Sequence, residues 1–311
     1  MMKKIAVTLQ PYTPARYPYQ KLEVCRKCDH FTVLGDTVCT HCGKSTLQPV
    51  EKRAAVTVQK KLWKTRLLLL LLIGIGIPFS TSPLEIGLLL ACGIAFLSLL
   101  WTLQVRSTPA LRRVQLQKMF QQYANTLISG LVRDHQAAFT VFQQGNKPLT
   151  YVMLREIGAL VQTDQLRLEQ IMLLQTFRLR KDMDLMLEPL LMEKFNVDLV
   201  AYIGELAKIR RDLLKENTFR YVLQYEAQIL KLPDGEAILT SVAGAAVRKK
   251  RYLTLYPYLL IRYSRLLPRD RFLRLYRIIK SDTLVRSGPL YDEVIRIYEE
   301  KYHLDSDFRN N

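Results

Sequence analysis

Histidine is scarce in this chain of 311 residues: there are four, and two of them, His30 and His41, lie within two residues of a cysteine. His135 follows Asp134 with no nucleophile or metal partner near it in sequence, and His303 lies close to the C-terminal end. The sequence has no G-x-x-x-x-G-K-[ST] loop, no G-x-G-x-x-G, no H-E-x-x-H, no G-x-S-x-G and no kinase signature set. Each is a local arrangement that one class of chemistry needs, so their absence argues against an enzyme of those classes. Asp182-Met183-Asp184 offers two carboxylates without a third ligand nearby and reads as a solvated turn. Acidic residues are few as well, 28 against 46 Lys and Arg, for a net charge of +18. Residues 1–106 carry 14 bases against 5 acids, and residues 107–311 carry 32 against 23. A positive balance favours anionic partners such as lipid headgroups or nucleic acid. The apolar run Ile5–Leu9 is too short for a signal-peptide core.

Cysteine occurs five times, and four of the five form two C-x-x-C knuckles, Cys25-Arg-Lys-Cys28 and Cys39-Thr-His-Cys42, with ten residues between them. Each knuckle turns two sulfurs toward one point, and two knuckles make the four-thiolate set of a tetrahedral metal site. Without an export signal, paired C-x-x-C motifs read as metal ligands in a reducing compartment. A redox-active pair is the alternative, weakened by the second pair and by the lack of a strand–helix context around either.

The segment from Cys25 to Cys42 resembles the short zinc ribbons found in many prokaryotic proteins, membrane-anchored ones among them. The resemblance covers about residues 22–47. It implies a structural Zn2+ on Cys25, Cys28, Cys39 and Cys42, because protein fills all four positions. Gly43 follows the second knuckle, as is usual in such ribbons. Asp29 stands at the matching place after the first and departs from that pattern, since Asp enters a left-handed turn less readily than Gly. Phe31 and Val38 are suited to cover the metal, and Gly35-Asp36 to turn the chain between knuckles. Arg26, Lys27 and Lys44 can offset the net negative charge of a four-thiolate zinc site. His30 and His41 could replace a ligand, but exposed knuckle positions are the plainer reading.

Two apolar runs follow, Leu67–Phe79 and Ile86–Leu103, the second broken only by Ser98 and Thr102. A spanning helix needs about 20 residues. The reading is a transmembrane hairpin over residues 62–105, with spans at about 63–79 and 84–104, the alternative being a buried soluble hairpin. Trp63 suits an interface, and Lys64 and Arg66 could snorkel. Bases flank both runs while Ser80-Thr81-Ser82-Pro83 carries none, which would place both termini in the cytoplasm of an integral membrane protein. Gly87, Ala91 and Ala95 recur every four residues and could let transmembrane helices approach closely, or be ordinary small residues in lipid. No Asp, Lys, Arg or His lies within either run, which argues against a transporter.

From Ser107 the pattern is helical almost throughout, so the fold class expected is mainly α: an N-terminal ribbon, a two-helix hairpin, and an all-α bundle or irregular solenoid. The domain reading is an N-terminal segment 1–21, ribbon 22–47, basic linker 48–61, the hairpin, and a cytoplasmic helical domain 107–311. Pro109 is expected at a first helical position with Thr108 as cap. Gly145-Asn146 should stop that run, and Thr163-Asp164 should start a helix running toward Phe195.

The densest charge lies between Arg248 and Lys280: Arg248, Lys249, Lys250, Arg251, Arg262, Arg265, Arg269, Arg271, Arg274, Arg277 and Lys280 against the one acid Asp270. Tyr252, Tyr256, Tyr258, Tyr263, Phe272 and Tyr276 interleave. Three readings compete. The first is a solvated helix face with its aromatics in the core and its arginines paired to Asp292, Glu293, Glu299 or Glu300. The others are contact with anionic lipid and contact with nucleic acid. The function expected is a membrane-anchored, cytoplasm-facing adaptor or regulatory protein with a protein partner, using ribbon and helical domain as binding modules. The alternatives are a membrane-tethered nucleic-acid-binding protein and, behind it, an enzyme acting on a lipid-linked substrate.

Overall fold

In the computed structural model, residues 4–76, 83–281 and 288–309 are described. They form two units, one spanning Thr13–Gln144 and the other drawn from the residues up to Tyr12 and those from Gly145 onward.

In the Thr13–Gln144 unit, β1 (Glu23–Cys25), β2 (Phe31–Thr32) and β3 (Leu47–Pro49) make an antiparallel sheet in the order β2-β1-β3. Val24 pairs with Phe31 on one side and with Gln48 on the other. The buried apolar side chains of so small a sheet include Leu22, Val24 and Phe31, together with Val50 and Ala54 of the helix that follows. That helix, α1 (Val50–Gly76), leaves β3 directly, so residues 48–61 are strand and helix rather than linker. α2 (Pro83–Gln122) and α3 (Ala124–Gln143) complete the unit.

α2 carries Pro109 in its interior instead of starting there. Proline removes the N–H that would bond four residues back. Ser107 and Thr108 turn their hydroxyls inward, and both bond the Gln104 carbonyl, at 3.3 and 2.6 Å. α1 and α2 meet at Gly93, where a methyl group would lie 2.9 Å from Ile73 Cδ1. Nearby, Arg66 donates to Gln104 Oε1 at 2.7 Å and lies 4.0 Å over the Trp101 ring.

These helices correct the membrane reading. Among the described residues, no helix is both long and apolar enough to cross a membrane. Crossing the roughly 30 Å of a bilayer core takes about 20 consecutive apolar residues in one helix. The transmembrane hairpin over 62–105 is therefore not supported. Neither is an integral membrane partner, nor the cytoplasmic-membrane location with both termini cytoplasmic that was deduced from it. Arg66, expected to snorkel, spans the hairpin instead. The end of the first run at Phe79 and the turn Ser80–Ser82 lie outside the described residues.

The second unit is helical. α4 (Lys147–Leu160), α5 (Asp164–Thr176), α6 (Val197–Ile209), α7 (Glu216–Gln224) and α8 (Glu226–Ile229) are followed by α9 (Gly235–Ala246). Then come α10 (Lys250–Leu255), α11 (Pro257–Tyr263), α12 (Arg269–Ser281), α13 (Pro289–Lys301) and α14 (Ser306–Arg309). Short polar residues set the starts: Asn146 accepts from Leu149 N at 3.2 Å after a left-handed Gly145 at φ 84°. Thr163 accepts from Leu166 N at 3.4 Å and Asn196 from Leu199 N at 2.9 Å. Side-chain caps of this kind contribute about 1 kcal/mol each. α6 and α9 pack against each other through fully buried faces, Leu199, Ile203 and Leu206 from one and Leu239 and Val242 from the other. Gly204 is what lets them close, since a Cβ there would stand 2.9 Å from Ile238 Cγ1.

α5 stops at Thr176 rather than running toward Phe195. The reason is a partner far away in sequence: Ile5 forms a parallel bridge with Phe177, donating to Thr176 O at 2.9 Å and accepting from Arg178 N at 2.8 Å. Val7 and Leu9 bury themselves along the same segment. The residues up to Tyr12 thus belong to this helical unit, while the helical run through Gln143 belongs to the other.

Candidate metal centre

Cys25 ends β1, Cys28 sits in the turn to β2, and Cys39 and Cys42 lie in the loop leading to β3. All four are free thiols, and their sulfurs all lie within 4.8 Å of one another. Cys25 Sγ is 3.6 Å from Cys42 Sγ, and Cys28 Sγ is 3.6 Å from Cys39 Sγ. A metal–sulfur distance of about 2.3 Å in a tetrahedron sets sulfurs roughly 3.8 Å apart. The four cysteines could therefore hold one metal ion.

The two knuckles have the same backbone. Asp29 and Gly43 both take left-handed conformations, at φ 56° and 67°. Their N–H groups return to the carbonyls of Cys25, at 3.2 Å, and Cys39, at 2.8 Å. Asp29, the departure from the ribbon pattern, is held by Arg53 of α1 at 2.6 Å. That ion pair offsets the modest cost of a non-glycine residue in this region. Phe31 is buried, with its ring centroid 6.4 Å from that of Tyr123, whereas Val38 is 42% exposed. His30 is buried and stacks on His41 at 5.5 Å.

The thiols feel opposed influences. Burial resists ionisation of Cys25, but hydrogen bonds from Thr46 Oγ1 and from the Cys28 and Lys27 backbone outweigh it and draw the thiol down to about 6. Burial pushes Cys28 up to about 12, helped by the neighbouring sulfurs. Four thiols this close cannot all ionise without a cation between them, so metal binding and deprotonation go together.

α3 holds this module in place. Asp134, almost wholly buried, accepts from Val33 N at 2.9 Å and from Thr32 Oγ1 at 3.0 Å. One turn earlier Gly130 lies against Phe31, where a Cβ would come 2.3 Å from the carbonyl oxygen. Sequence reading passed over Asp134 as a neighbour of His135. The pair Gly130 and Asp134, a small and a polar residue four apart, was the available signal. Burial is the main influence that raises the Asp134 carboxyl to about 6, against the two hydrogen bonds that lower it. A raised acid pKa means that the folded state binds the proton more tightly than the unfolded chain, whose value is near 3.9. Stability from this group is therefore fullest below about pH 4 and declines as pH rises to about 6. Asp134→Asn keeps an acceptor for Val33 N and offers a donor to Thr32. It should remove this decline, read as a difference in unfolding temperature from wild type that grows between about pH 4 and pH 6. Asp134→Ala should cost about 1–3 kcal/mol at every pH by stranding the Val33 amide. Equal pH profiles for wild type and the Asn variant would count against this account.

The basic segment is dispersed over α10, α11 and α12 in the helical unit. Its aromatics are core: Tyr252, Tyr256, Tyr263, Phe272 and Tyr276 are buried, and Tyr258 is exposed. Several of its bases already have acids. Arg251 pairs with Glu216 at 3.0 Å, Arg262 with Glu226 at 2.6 Å and Arg265 with Glu300 at 3.3 Å. Arg269 joins Asp305 and Asp307 at 2.7 and 2.6 Å. Of the acids expected as partners, Glu300 is one, while Glu293 serves Arg296. Arg274 caps the Arg248 carbonyl at 3.1 Å, and Lys249 and Lys280 lie 5.5 Å over Tyr252 and Tyr276. Lys250 and Arg277 also lie on this surface and are exposed. Arg271 is half-buried in the first turn of α12.

Of the small residues singled out in the hairpin, Gly87, Ala91 and Ala95 are exposed, and a Cβ at Gly87 would meet nothing within 4 Å. The close approach falls on Gly93 instead. Asp182 pairs with Arg180 at 2.9 Å, and Asp184 accepts from Tyr12 N at 2.6 Å, so these carboxylates do not converge on one cation site. No family model matches the chain, and neither a curated protein nor a solved structure matches it.

Proposed function

We propose that this protein is an adaptor or regulatory protein in which a structural zinc ribbon supports a helical hairpin that receives a protein partner. The helical unit acts as a second binding module on the same chain. The observation that carries this reading is the apolar surface of α1 and α2. Leu68, Leu71, Ile94, Phe96 and Leu99 are each more than half exposed, and Trp63 and Trp101 are as well. Contiguous apolar surface of this kind marks an interaction site. The ion proposed for Cys25, Cys28, Cys39 and Cys42 is Zn2+, since four thiolates in tetrahedral array suit it and leave no open position for substrate. Two modules on one chain raise each other's effective concentration for a shared partner.

The nucleic-acid reading has less support, because the aromatics that would stack on bases are core residues and several of the arginines are neutralised. Affinity capture of the crosslinked full-length chain separates the two. A defined protein retained after nuclease, and lost from a Leu71→Glu/Leu99→Glu variant, is the expected result. Capture that disappears with nuclease, or that ignores the hairpin substitutions, would overturn it.

A further inference from the structure

The helical unit has an open cleft of about 370 Å³ between the end of α6, the outer face of α9 and the chain entering α12. Three cations line it: Lys208 from the last turn of α6, Arg211 from the 3-10 turn that follows, and Arg271 from the first turn of α12. Their state differs from that of seven ion-paired arginines elsewhere in the unit. Arg210, next in sequence to Arg211, locks onto Asp212 at 2.9 Å, and Arg180, Arg251, Arg262, Arg265, Arg269 and Arg296 all have acids. Among the described residues, Lys208 and Arg271 have no side-chain partner, and the Arg211 guanidinium bonds only the Ala207 carbonyl, at 3.1 Å. Glu236 is the one carboxylate on the lining and forms no ion pair among the described residues, so the cleft carries an excess of two positive charges. The remaining wall is largely apolar, with Ala237, Leu266 and Pro268 on it beside Thr240 and Ser241.

We propose that this cleft binds a small organic phosphate, its anionic group on Lys208, Arg211 and Arg271 and its apolar body against Leu266, Pro268 and Ala237. Three unneutralised cations around one hollow match a phosphate dianion, which takes up charge-assisted hydrogen bonds from several donors at once. The volume falls in the range of small-molecule sites, where apolar walls give affinity and a few polar groups give orientation. Burial disfavours the Arg211 charge, which accords with a guanidinium that lacks a carboxylate. The inference stands apart from the adaptor reading, because nothing in it involves the cysteines or the hairpin.

The test is calorimetric titration of the full-length chain with three probes: phenyl phosphate, inorganic phosphate and benzyl alcohol. Phenyl phosphate is expected to bind with a dissociation constant of about 1 mM or below, inorganic phosphate about tenfold more weakly, and benzyl alcohol not measurably. Lys208→Gln and Arg271→Gln should each weaken phenyl phosphate by about tenfold, the loss of one charge-assisted contact. Ala237→Trp changes no charge and should abolish binding by filling the hollow. Lys208 and Ala237 are exposed, so these two variants serve even where Arg271→Gln disturbs the fold. Equal affinity for phenyl phosphate and inorganic phosphate, no binding of phenyl phosphate at about 10 mM, or unchanged affinity in Ala237→Trp would overturn the proposal.

Discussion

Serine at both Cys25 and Cys39 is expected to release the metal and unfold the module around it. The wild-type chain should carry one zinc per molecule and the double variant none, measured by elemental analysis of dialysed protein. The sheet offers three short strands and a handful of buried apolar side chains. Hydrophobic burial on that scale does not hold so short a segment by itself. Structural zinc in comparable small modules supplies about 10–16 kcal/mol of apparent binding free energy at neutral pH, and that energy is folding energy. Hydrogen exchange should then show Val24 and Phe31 losing protection while α6 and α9 keep theirs. A double variant that retained zinc, or an iron–sulfur spectrum from the wild type, would exclude the assignment.

The second large effect is at Gly130. A methyl group there would stand 2.3 Å from the Phe31 carbonyl oxygen and 3.1 Å from its carbon. Both are backbone atoms, so no rotamer change relieves the clash. In a helix interior alanine ordinarily stabilises relative to glycine by roughly 1 kcal/mol. Here the sign should reverse, with a net loss of about 3 kcal/mol, the upper end for overpacking against a fixed neighbour. The accompanying loss should be local: β2 shifts from α3, and the two hydrogen bonds that Asp134 accepts lengthen or break. Thermal unfolding together with zinc retention under a competing chelator reads both. An Ala variant as stable as wild type would show that α3 does not hold the metal module in solution.

How much of this was legible in the sequence depends on the range of the interaction. The cysteine cluster could be read because its determinants lie within 18 residues, and the Thr163 cap because it acts within one turn. The hairpin was half legible. Two apolar runs with a polar turn between them do give two helices. The run lengths suggested a span, but among the described residues no helix is both long and apolar enough to cross a membrane. The basic segment misled for a related reason. Aromatics three or four residues apart among arginines fit a stacking surface and a buried stripe equally well, and which face is buried is decided by α7, α8 and α13, which supply acids and packing from elsewhere. Asp134 was invisible because a carboxylate in a helix reads as solvent-facing until its partners are known, and these lie about 100 residues away.

The pairing of Ile5 with Phe177 has a consequence for the order in which the protein is made. Between the two lie 171 residues. At about 5–20 residues per second, a ribosome needs roughly 9–34 s to synthesise that stretch. Through that interval Val7 and Leu9 have no core to enter, and by its end the cysteine module and the helices that support it, all before Gly145, have been synthesised. The cysteine module can therefore mature first, and the helical unit closes only once the segment around Ile5 meets the end of α5. Contacts of such separation are slow to form, so the nascent chain passes through a stage with a finished cysteine module and an unfinished helical unit, and apolar surface around Val7 and Leu9 lies open to chaperones during that stage.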